Sequence, residues 1–142
     1  MDFYLLESLD LFNFPLNTIY MNLTSQVLVL IVCLEHLYIL WMEMFAWTTV
    51  GKKTFKGDYP EGFFESTKSL AANQGLYNGF LAAGLAWTFF IDEDAWAQKL
   101  AFFFLVCIVI AGVYGALTAS KSIFFKQGLP AIITILVIYF TN

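Results

Sequence analysis

The chain has 142 residues, of which 60% are apolar, 19% aromatic and only 13% charged. That length allows one domain, and a soluble fold carries about 25% charged residues, so the composition points to an integral membrane protein and excludes a water-soluble globular one. The acidic balance, 11 Asp and Glu against 7 Lys with no Arg, excludes nucleic acid as a partner, because binding phosphates takes a basic face.

Residues 1–20, MDFYLLESLDLFNFPLNTIY, come first, with Asp2, Glu7 and Asp10, no base and no long apolar centre. A signal peptide needs a basic start and an apolar core. The stretch therefore reads either as an amphipathic extension on the outer membrane face or as sequence upstream of a natural start at Met21. The transmembrane domain is then 21–142.

A bilayer core takes about 20 mostly apolar residues per helix. Four stretches meet that length, at about 22–48, 67–91, 95–119 and 122–141. They are apolar all round and do not alternate, which argues against transmembrane strands. The predicted fold is an all-α, integral membrane four-helix bundle with short loops. The one longer loop, 49–66, joins the first two helices and holds Gly51, Gly57, Pro60 and Gly62 as breakers. At its end, Phe63 and Phe64 are expected to dock the loop onto the membrane. Asp92-Glu93-Asp94 makes a turn and gives the third helix an acidic N-terminus, which the helix dipole favours. Phe102, Phe103 and Phe104 read as lipid-facing bulk. Ser120-Lys121-Ser122 links the third and fourth helices, and Pro130 is expected to kink the fourth. Cys33 and Cys107 lie inside apolar runs and read as buried free thiols, with neither a disulfide framework nor a metal site implied.

Lysines set the orientation. Lys52, Lys53, Lys56 and Lys68 cluster around the first loop, and Lys121 and Lys126 flank the third. The opposite side has only Lys99, beside three acids. The positive-inside rule places both lysine-bearing loops in the cytoplasm and both termini outside.

Polar residues inside the spans are the candidate site. A charge at the bilayer centre costs about 2.5–3.5 kcal/mol on insertion scales, yet the first span carries Glu35, His36 and Glu43. At about 100° per residue these three share one face. The second span carries Asn73, Gln74, Tyr77 and Asn78 on one broad face, with Ala71, Gly75, Gly79 and Ala83 on its back. Small residues at a spacing of four let another helix approach closely, so the second helix is expected at the centre of the bundle, its Gly75 and Gly79 face against a neighbour. Counted by depth, Glu43 falls level with Asn73 and Gln74, and Glu35 and His36 level with Tyr77 and Asn78. The two polar faces are thus expected to form a ladder. Metal binding has weak support, since no HExxH or dense His cluster is present, and no GxSxG marks a nucleophile.

With EHLYILWMEMFAWTT and LAANQGLYNGFLAAGLAW on the page, the chain resembles the family of small bacterial membrane proteins catalogued as domain of unknown function 1304. The parts that carry the resemblance are Glu35-His36, Glu43-Met44-Phe45, Asn73-Gln74-Gly75 and Tyr77-Asn78-Gly79, and it covers about 21–142. It implies a four-helix, multi-pass protein of the bacterial inner membrane, and it implies no activity, substrate or cofactor.

Three functions are compatible with these residues. The first is binding or acting on a small or lipid-like molecule at the Glu/His/amide site. The second is a proton- or ion-coupled transporter or channel, for which four helices are few, so that a homo-oligomer would be needed. The third is a structural accessory subunit, because amides, Tyr and His also serve as interhelical glue worth about 0.6–2 kcal/mol per contact.

Overall fold

The computed structural model describes residues 21–55 and 57–141. The expectations for residues 1–20, and Lys56 of the first lysine loop, lie outside the described residues.

Four long helical segments make up most of the described chain, and no strand occurs among the described residues. The first, α1, is Leu23–Phe45. Asn22 caps it, its side-chain oxygen accepting from the Ser25 amide at 2.9 Å, which satisfies one of the orphan donors of the first turn. After Ala46 the chain re-enters helix as a π turn, Trp47–Gly51, and a short turn, Lys52–Thr54. A single turn, Phe63–Ser66, leads into α2, Lys68–Trp87. A 3-10 turn, Thr88–Phe90, ends it. The next helix, α3, is Asp94–Thr118, with Asp94 in its first turn as the acidic start predicts. The last, α4, is Lys121–Thr141. Three of these helices, α1, α3 and α4, are long and apolar enough to cross a membrane. At 20 residues α2 has the length, but its amides, glycines and Lys68 dilute its apolar character.

Each helix packs mainly on two others. The longest contact runs between α1 and α2; α2 meets α3, α3 meets α4, and α4 closes on α1. Asn22 Nδ2 donates to Thr141 Oγ1 at 2.6 Å and to its carbonyl at 3.1 Å. The start of α1 and the end of α4 therefore lie at the same end of the molecule. The apolar core draws on all four helices: Val29, Val32 and Cys33; Ala82 and Leu85; Ala101, Leu105 and Ile108; Ala131 and Ile138. These positions fall in the half nearest the turn at 92–94. In the other half, glycines bring backbones together. A Cβ built on Gly112 would lie 3.0 Å from Gly128 Cα, so α3 and α4 nearly touch there.

Several expectations change. The loop at 49–66 is helical at both edges, and among its described residues Phe55 and 57–62 are outside helix. Phe64 is buried, tilted against Trp47 (5.2 Å between centroids) and edge-on to Tyr59 (5.3 Å), so it packs within the loop and closes the loop on itself. Trp47 Nε1 donates to Thr67 Oγ1 at 3.0 Å, tying the two sides of the loop. Phe103 is exposed as expected, but Phe104 packs on Gly84, where the missing Cβ makes room for its ring. Pro130 acts one turn upstream. The π turn Phe124–Gly128 precedes it, and the Leu129 amide donates to the Phe124 carbonyl. A wider turn moves the carbonyl of Lys126 away from the pyrrolidine ring, which a regular α-helix would press against it.

Candidate functional site

The buried stripe of α1 is Ser25, Val29, Val32, Cys33, His36, Ile39 and Met42. Steps of three and four keep these residues on one face, with His36 near its middle. Glu43, seven residues on, comes back to within about 20° of His36 and lies about 10 Å further along the axis. It is half-buried, and so is Glu35 at the flank of the stripe.

The face of α2 that meets this stripe is its small one, with Ala71, Gly75, Ala82 and Leu85 buried. A Cβ built on Gly75 would stand 3.0 Å from the Leu40 carbonyl, from Glu43 Cβ and from Met44 Cγ. One on Gly79 would run into Leu40 Cδ1. Higher up, Cys33 Sγ donates to the Ala82 carbonyl at 3.3 Å. Close approach at Gly75 brings the Glu43 side chain alongside α2, where Asn78 Nδ2 donates to Glu43 Oε2 at 3.1 Å. The same Nδ2 donates to the Gln74 carbonyl at 3.1 Å, which fixes the amide plane.

His36 is fully buried. Its Nδ1 is 2.9 Å from the Val32 carbonyl. A carbonyl only accepts, so Nδ1 carries the hydrogen, and in the neutral ring Nε2 is left as an acceptor. That Nε2 has no hydrogen-bond partner among the described residues. On α1, His36 falls between Cys33, which touches Ala82, and Leu40, which touches Gly79. Its level on α2 is therefore Gly79–Ala82, where no side chain can bond it.

The expected ladder forms differently. Glu43 pairs with Asn78 and not with Asn73 or Gln74, and His36 sits about one turn beyond Asn78 instead of level with it. Asn73, Gln74 and Tyr77 are exposed; of these, Gln74 contributes its backbone carbonyl to the site. The physical cause is the choice of face: the Gly75 side of α2, expected against a third helix, packs on α1. Leu40 was not singled out from the sequence, although its place between His36 and Glu43 on the stripe marked it. Cys33, read only as a buried thiol, is a seam contact.

Chemically, the arrangement offers a half-buried carboxylate held by one amide, a second half-buried carboxylate at the flank, and a buried imidazole nitrogen open to a donor. Among the described residues no group of three or more His, Cys, Asp or Glu is placed to hold a metal ion.

The family described as protein of unknown function (DUF1304) matches residues 30–139. The uncharacterized protein YpaA of Lactococcus lactis subsp. lactis (strain IL1403) is 32% identical over 122 residues, which covers 84% of this chain and 100% of YpaA. No solved structure matches.

Proposed function

The chain belongs to the DUF1304 family, and from that premise we propose that it is a multi-pass membrane protein which binds, or acts on, a small or lipid-like molecule between α1 and α2. All four long helices cross the membrane as a four-helix bundle, with both termini outside the cytoplasm. The site is Glu43 and Asn78 at one level, with Glu35 and His36 one to two turns deeper.

The observation that carries this reading is the bare Nε2 of His36. A buried acceptor without a donor costs about 1–3 kcal/mol. An apolar side chain at this place in the stripe would avoid that cost. A bound molecule with a hydroxyl or amine group would supply the donor, and Glu43, only partly covered, leaves a polar way in. A purely structural seam needs the Glu43–Asn78 bond and has no use for His36.

Native mass spectrometry of the protein in lipid nanodiscs tests it. The wild-type chain is expected to hold a small-molecule or lipid adduct that His36→Phe and Glu43→Gln lose. Retention of the same adduct by both variants would overturn the proposal.

A further inference from the structure

The face of α2 turned away from α1 is exposed and meets no other helix among the described residues. Leu70, Tyr77 and Phe80 are 62%, 54% and 56% exposed, and Asn73 is exposed among them. Their spacing is three, four, three. At about 100° per residue they form one narrow stripe, about 180° from Gly75. This is the spacing of a heptad seam, whose side chains interlock with an identical seam on a neighbouring helix. Gly84 continues the spacing, but Phe104 of α3 already covers it, so the open seam ends at Phe80.

We propose that this seam joins two copies of the chain side by side in the membrane, α2 against α2, around a twofold axis along the bilayer normal. The occupant follows from the chemistry of Asn73. A carboxamide carries both a donor and an acceptor, so two copies related by a twofold axis satisfy each other. Lipid chains offer neither group. A single Asn in an apolar seam is also the residue that fixes register and number of strands in paired helices. Tyr77 and Phe80, in edge contact at 6.0 Å between centroids, add exposed aromatic area on the same stripe. In the pair, α2 is enclosed on both sides, by its own α1 on the glycine face and by its twin on the Asn73 face.

Cysteine cross-linking in native membranes reads this directly. In a Cys33→Ser, Cys107→Ser background, Tyr77→Cys and Phe80→Cys are expected to give a covalent dimer on mild oxidation. Tyr114→Cys on α3, 69% exposed, is expected to stay monomeric. Asn73→Leu lies outside the core and should weaken the dimer in bilayers roughly 3- to 30-fold, the range for an interhelical polar contact in lipid. Equal cross-linking at 77 and 114, or a dissociation constant that Asn73→Leu leaves unchanged, would overturn the proposal.

Discussion

Gly75 and Gly79 share one face of α2, yet their neighbours differ in how far they can yield. A side chain on Gly75 meets a backbone carbonyl and a Cβ, both held by α1 itself. One on Gly79 meets only the tip of Leu40, which can rotate. Gly75→Ala should therefore cost about 1–3 kcal/mol by overpacking. Gly79→Ala should be near neutral, because relief of the glycine penalty of about 1 kcal/mol offsets the rotation. Thermal melts in detergent would separate the two, and equal losses would mean that the helices are set by something other than backbone contact. His36 gives a second prediction at this scale. His36→Leu removes the unsatisfied acceptor, so it should raise stability by about 1–3 kcal/mol in lipid-free detergent while abolishing adduct binding. Glu43→Gln keeps an oxygen to accept from Asn78 and should melt within about 0.5 kcal/mol of wild type.

Among the elements, α4 and the first loop show how local chemistry sets shape. The π turn before Pro130 lets the helix widen where the ring needs room, and Gly128 then lies against Gly112 at 3.0 Å from its would-be Cβ. Gly112→Val should drive α3 and α4 apart, with a larger loss than Gly115→Val. The neighbour of Gly115 is the Ile123 side chain and not a backbone. Unfolding in detergent would rank the pair. In the first loop, Phe64 sits between Trp47 and Tyr59. Phe64→Ala should loosen residues 47–67 locally, seen as faster amide exchange there, with α3 and α4 unchanged.

For the whole molecule, the Asn22–Thr141 contact places both ends of the described chain together, and the proposed orientation puts that end outside the cytoplasm, opposite the lysine-bearing loops. A membrane-impermeant thiol reagent applied to intact cells should reach Glu93→Cys and miss Lys53→Cys in a cysteine-free background. The opposite pattern would reverse the orientation without altering the fold.

Much of this was legible from composition and spacing alone. The four apolar stretches fall within a few residues of the four long helices, of which α1, α3 and α4 are long and apolar enough to cross a membrane and α2 matches in length. Asp92-Glu93-Asp94 marked the turn into α3, and the single-face placement of His36 and Glu43 followed from helical geometry. What the sequence left open was which side of α2 meets α1. Its polar face and its small face are both sound packing surfaces on a helical wheel. In the structure the glycine face is the one that packs on α1, because the missing Cβ atoms let the two backbones approach closely beside Leu40 and Glu43. That choice moved the register by about one turn, joined Glu43 to Asn78, left His36 Nε2 bare and turned Asn73 and Tyr77 outward. None of these four outcomes could be read along the chain, since each depends on which atoms of a second helix occupy the space beside it.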